Sequence, residues 1–313
     1  MFAILAVQVM VPLLLVAWMV FLPPRSTAGI VAQLAGSILL LLSLTHIGLW
    51  LFPPWWTPEA AAVLVTVAAA WQLGRMKRSR FPATMPGWAG VLFFSLTALG
   101  GVGFSILVRR ASQPPSAPVA VDLAWPLAPG RYLIVNGGNR LLMNAHQQSF
   151  DSSIVRLRPW RGNGHAVDIV AINALGLRAD GVLPRDPAQY HIFGVPVVAP
   201  CAGRVVVAVD GLPDMPVPLQ DREHIAGNHV MLECDGIHVL LAHFQNGSLC
   251  VQTGEIVQLG QPLGQVGNSG ASSEPHLHIH AQRPGPRSEP YGGDPVPLRL
   301  GGRYLVRGER VKD

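Results

Sequence analysis

Between Met1 and Phe21 the chain carries no charged side chain, and from Ala28 to Trp50 it carries none either. About twenty consecutive apolar residues are what a helix needs to cross the hydrocarbon core of a bilayer. Both segments therefore read as membrane-spanning helices, and Gly87–Val108 is a third long apolar run. Ala60–Gly74 is shorter and alanine-rich, but "PPWWTPE" before it supplies aromatic residues suited to a membrane interface. Four spans are expected within residues 1–110. A lone secretory leader does not account for them, because three more apolar stretches follow the first and Met1-Phe2 offers no basic leader.

Charge sets the expected orientation. Residues 1–110 hold seven Lys/Arg and one acidic residue, Glu59, whereas the remainder holds 16 Lys/Arg and 17 Asp/Glu. The net charge of +5 thus belongs to the first third, and no basic patch is expected on the rest, so nucleic acid is not an expected partner. Arg25, Arg75, Lys77, Arg78 and Arg80 fall in the loops on one side of the expected spans, against Arg109 and Arg110 on the other. The excess of basic residues on cytoplasmic loops then places both chain ends outside the cytoplasm. No charge lies within the apolar cores, so the helices read as an anchor in the lipid bilayer rather than a transport path.

Residues 111–130 contain five prolines and few strand formers, and read as a linker. Beyond 130 the pattern becomes short runs of period two, or of continuous β-branched residues, broken by glycine: "RYLIV", "HAVDIVAI", "GRVVVAV", "NHVMLEC", "IHVLLAH". An all-β, antiparallel domain over 131–300 is expected, with a short tail at 301–313 and no packing helix. Residues 212–227, rich in proline and charge, read as a loop that lines a cleft. Arg178, Asp180 and Asp186 read as a solvated loop face. Cys201, Cys234 and Cys250 show no CxxC spacing. They allow one disulfide if the domain is exported, and otherwise read as small buried side chains.

Ten of the eleven histidines lie in this domain, and three stand in "SEPHLHIHA". On a strand His276, His278 and His280 share one face. Alone they suit a solvated strand as well as a metal site. His146 and Asp168, each in or beside an expected strand, shift the balance, because a His/His/Asp set suits zinc. His229 reads as a core or supporting side chain, His191 as a turn residue and His224 as a loop residue near substrate.

"GQPLGQVGNSGASSEPHLHIHA" resembles the C-terminal signature of lysostaphin/LytM-type zinc metallopeptidases, the M23 peptidase family. "FGVPVVAPCAGRVVVAVDG", "GNHVMLE" and "LLAHFQNGSLCVQTGEIVQLGQPLG" resemble other segments of that family, so the likeness runs from about Tyr132 to Gln282. It implies a LytM-type (duplicated hybrid motif-like) β-sheet peptidase domain binding Zn2+, with the second histidine of H-x-H, His278, as a ligand. His276 and the "AHF" histidine, His243, would line the reaction centre. The family's upstream H-x-x-x-D element is absent. The preferred match takes Asp168 in "HAVDIV" and His146 in "MNAHQ" as the remaining ligands, brought together by a hairpin, with His165 the alternative to His146. The resemblance implies zinc-dependent endopeptidase activity on peptidoglycan or other peptides outside the bacterial cytoplasmic membrane. The alternative is a non-catalytic module that binds or activates a cell-wall-remodelling partner.

Overall fold

The computed structural model describes residues 2–75, 79–116, 118–286 and 291–312. Its chain divides into two compact units, Met1–Arg110 and Ala111–Asp313.

The first unit is helical: α1 (Phe2–Phe21), α2 (Thr27–Ile47), α3 (Thr57–Arg75) and α4 (Met85–Ala111). Ser26 caps α2, its side chain accepting from the Gly29 N–H at 3.1 Å. α2 and α4 are long and apolar enough to cross a membrane by length and composition. α4 presents Leu92, Phe93, Leu96, Leu99, Ile106 and Leu107 outward. A row of this kind is costly against water and ordinary against lipid. Lys77 and Arg78, two of the residues that set the expected orientation, lie outside the described residues.

The second unit is mostly antiparallel β-sheet. Its strands are β1 (Val121–Leu123), β2 (Arg131–Asn136), β3 (Val167–Ala171), β4 (Pro196–Val198), β5 (Gly203–Val209), β6 (Asn228–Cys234), β7 (Ile237–Phe244), β8 (Ile256–Val257), β9 (Pro262–Gln265), β10 (Leu277–Gln282), β11 (Pro295–Val296), β12 (Leu298–Leu300) and β13 (Arg310–Lys312). The main sheet runs β13-β2-β3-β10-β7-β6-β5-β8, with β11 beside β10. Two small pairs complete the unit, β4 with β9 antiparallel and β1 with β12 parallel. β1 thus lies within the proline-rich stretch, and β13 adds an edge strand from the last residues of the chain.

Period two decides the faces. Leu277, Ile279 and Ala281 of β10, Val239 and Leu241 of β7, and Val167 and Ile169 of β3 enter one apolar core. Val197, Leu263, Leu123 and Leu298 from the small pairs join it. Each such Val, Leu or Ile side chain contributes about 1.5–3 kcal/mol when fully buried. The intervening residues, Asp168, Leu240, Ala242, His278 and His280, line a cavity on the opposite face. A disulfide joins Cys201 to Cys234, and Cys250 is free.

The stretch between His146 and Asp168 is not the hairpin expected from the sequence. Ala145–Phe150 and Val155–His165 are 3-10 helical instead. Pro159, Gly162 and Gly164 explain why no strand pairs here, since proline removes a ladder donor and glycine weakens a strand. Arg178 also departs from the expected solvated face: it is buried, in an ion pair with Glu274 (2.9 Å).

Candidate functional site

Asp168 and His278 are direct partners in the β3–β10 register. Both point away from the apolar core, and His278 Nδ1 lies 2.9 Å from Asp168 Oδ1. The sheet therefore assembles this half of the site.

The other half comes from a turn. Asn144, fully buried, accepts from the His146 N–H at 3.1 Å and caps the first 3-10 helix. Its amide donates to the carbonyls of Gly138 (3.1 Å) and Ala166 (2.9 Å). One side chain so ties the His146 turn to the residue two before Asp168. His146 Nε2 then lies 2.9 Å from Asp168 Oδ2. Asn136 donates to the same oxygen at 2.8 Å, and Arg307 donates to Asn136 Oδ1 at 2.8 Å. His146, Asp168 and His278 converge with ligand atoms within 4.8 Å of one another.

His243 reaches the cavity through an irregularity. The β6–β7 register pairs His229 with Ala242 and Asn228 with Phe244, leaving His243 as the extra residue of a bulge with φ 67°. In an unbroken strand His243 would face the apolar core with Val239 and Leu241. The bulge turns it to the side of Ala242 and sends Phe244 inward. A left-handed conformation costs a non-glycine residue about 1–2 kcal/mol. Its ring is held by Nδ1–H donation to the Ser269 carbonyl at 2.8 Å, which leaves Nε2 free to face the cavity. Ser269 belongs to "GNSG", and its hydroxyl donates to the Phe244 carbonyl (2.7 Å) and accepts from the Asn228 N–H (2.9 Å). Gly227 (φ 58°) and Gly270 (φ 76°) pack backbone to backbone beside it, where a Cβ would collide. The glycine-rich segment is thus the mount for His243.

His276 Nδ1–H donates to the Glu274 carbonyl at 2.8 Å, and its Nε2 lies 3.7 Å from Asp168 Oδ1. The His243 and His276 rings are 4.8 Å apart. His243, His276 and His278 form a second group of converging donors, sharing His278 with the first.

Electrostatics follow from burial. Desolvation alone would raise the Asp168 carboxyl, but the adjacent imidazoles of His146 and His276, with hydrogen bonds from His146 and His278, hold it well below the usual carboxylate range. Burial pushes His243 well below the usual imidazole value, and the nearby His276 and His278 add to the effect. His278 is lowered by burial in opposition to Asp168. His165 joins neither donor group; its ring packs edge-on against Phe150 and its Nδ1 lies 3.2 Å from the Gln147 amide. His229 is buried and bonds to the Tyr291 hydroxyl at 2.6 Å, and His224 is exposed and paired with Asp221. Sequence reasoning passed over Asn136, Asn144, Arg307 and Asn163, whose amide lies 3.1 Å from His146 Nδ1, because only the fold defines their neighbours.

Residues 189–290 match the model of Peptidase family M23. Over that span the chain is similar to this family. The matched span contains His243, His276 and His278 and stops short of His146 and Asp168. Among solved structures, the lysostaphin catalytic domain from Staphylococcus simulans is 25% identical, over 38% of this chain and 68% of that one, with a TM-score of 0.25. A zinc-containing peptidase from Vibrio cholerae is 18% identical over 47% and 48%, with a TM-score of 0.23. The deep-sea M23 metalloprotease pseudoalterin is 15% identical over 62% and 99%, with a TM-score of 0.36. A chain of the SpoIIQ–SpoIIIAH pore-forming complex is 19% identical over 42% and 65%, with a TM-score of 0.25. No curated protein sequence matches the chain.

Proposed function

We propose that the protein is a zinc-dependent endopeptidase that hydrolyses peptide bonds in peptidoglycan or other peptides outside the cytoplasm. The N-terminal helices would tether the M23 domain to the bacterial cytoplasmic membrane. The observation that carries this reading is the convergence of His146, Asp168 and His278 beside the paired rings of His243 and His276.

Two imidazoles and one carboxylate within 4.8 Å fit zinc, and three protein donors are the number that leaves a position for water. His146 Nε2, an Asp168 oxygen and His278 Nδ1 would hold the ion. When bound, zinc supplies a Lewis acid for the scissile carbonyl and lowers the pKa of a water. The chain's own groups do the rest. Burial favours the neutral imidazole of His243, the form that accepts a proton at Nε2. His276, anchored through Nδ1–H, faces the cavity with Nε2 and donates there to an oxyanion or the leaving amine when that nitrogen carries a proton. The presence of His243, His276, His278 and Asp168 together favours catalysis over a partner-binding module. The Cys201–Cys234 disulfide supports an oxidising compartment.

The test is mass spectrometry of cross-linked cell-wall peptides incubated with the full chain in detergent and zinc, alongside chelated and His243→Ala controls. A new peptide terminus that is absent from both controls is expected. An identical product from His243→Ala would remove this assignment of the proton acceptor.

A further inference from the structure

The third histidine of "HLHIH" belongs to neither group of converging donors, yet it is 1% exposed and lines the same cavity. Its place is defined by His278. Two residues apart on one strand share a face. The two rings meet edge to face, centroids 5.3 Å apart and planes at 77°. His278 Nε2 lies 3.0 Å from His280 Nδ1, while its Nδ1 lies 2.9 Å from Asp168 Oδ1.

A neutral imidazole has one N–H and one lone pair. Without a cation, His278 Nδ1–H donates to Asp168; for Nδ1 to offer its lone pair to a cation instead, the proton must sit on Nε2, where a buried N–H needs an acceptor. Among the described residues, His280 Nδ1 stands in that place. We propose that His280 is a positioning residue: it accepts the Nε2–H of His278 and so fixes the tautomer and ring direction in which Nδ1 of His278 faces the cation. This inference rests on the reading of His146, Asp168 and His278 as a metal site. It assigns His280 a role through His278, not a contact with the ion.

Partners of this kind set ligand basicity and orientation, and their loss weakens metal affinity about 10–100-fold. The experiment is zinc affinity of the full chain in detergent, measured by competition with a chromophoric chelator, with metal-free melting recorded in parallel. His280→Leu keeps the volume and removes the acceptor, and a loss of about 10–100-fold is expected. His280→Asn keeps an acceptor at the same distance from the backbone and is expected to restore affinity to near the wild-type value. Wild-type affinity in His280→Leu would overturn the inference and leave the metal site standing. Affinity equally poor in both variants, with metal-free melting unchanged, would overturn it too. A wild-type chain that takes up no zinc would remove the metal-site reading and this one together. Should His280→Leu fail to fold, the tautomer is read in the wild type by nitrogen-15 NMR of labelled histidines. With zinc bound, a proton on Nε2 of His278 is expected, and one on Nδ1 overturns the proposal.

Discussion

Asp168 and His278 stand opposite each other in the β3–β10 register, and their side chains meet at 2.9 Å although 110 residues separate them in sequence. Pairing on the cavity face makes the contact a property of the sheet, so the carboxylate is in place before any cation arrives. His146 joins from a turn held by Asn144.

That arrangement separates His146 from His165. Asp168→Asn and His146→Ala are each expected to abolish stoichiometric zinc, measured by elemental analysis of purified protein. His165→Ala is expected to leave it unchanged, because its ring packs on Phe150 away from the converging donors. Zinc lost from His165→Ala but kept in His146→Ala would reverse the assignment.

Gly227 tests the mount of His243. A Cβ there would run into the Ser269 backbone, whose carbonyl holds the His243 ring, and φ 58° disfavours any side chain. A misplacement of about 1 Å near the reacting atoms can cost on the order of 100-fold. Gly227→Ala should therefore lower the hydrolysis rate by about that factor with zinc content unchanged. Unchanged turnover would show that the Ser269 carbonyl is free to move.

The ion pair of Arg178 with Glu274 bears on both stability and the site. Both side chains are buried, and the Glu274 carbonyl accepts from His276. Arg178→Met strands a buried carboxylate, which costs about 3–5 kcal/mol. The double change Arg178→Met with Glu274→Leu should recover most of that loss, because no charge is left unpaired. Pulse proteolysis in urea measures both, and equal losses would argue against the pair.

Acid should destabilise the second unit. Burial lowers His165 from 6.5 to about 4, and lowers His229 and His243 as well. Between those values the unfolded chain binds the proton and the folded one does not, so stability is complete above about 6.5 and falls as pH drops toward 4. His165→Gln should flatten that decline in urea titrations between pH 7 and 4. A wild-type midpoint independent of pH over this window would contradict the burial argument.

Much of the architecture was legible because it follows from local pattern. Apolar length gave the helices, and period two gave β3, β7 and β10 and the shared face of His278 and His280. The upstream half of the site was harder. His146 stands in a 3-10 turn rather than a hairpin, and the Asn144 amide that ties it to Ala166 lies in no recognisable motif. Arg178 looked solvated because its partner, Glu274, is 96 residues away.

The sequence by itself determined which residues could bind a metal and which strand faces they occupy, since donor chemistry and strand alternation are local properties. Only the tertiary structure decided which donors meet. The β3–β10 register sets Asp168 against His278, and the bulge turns His243 from the core to the cavity. Those outcomes depend on strand pairing and on the exclusion of water, which arise between segments far apart in the chain.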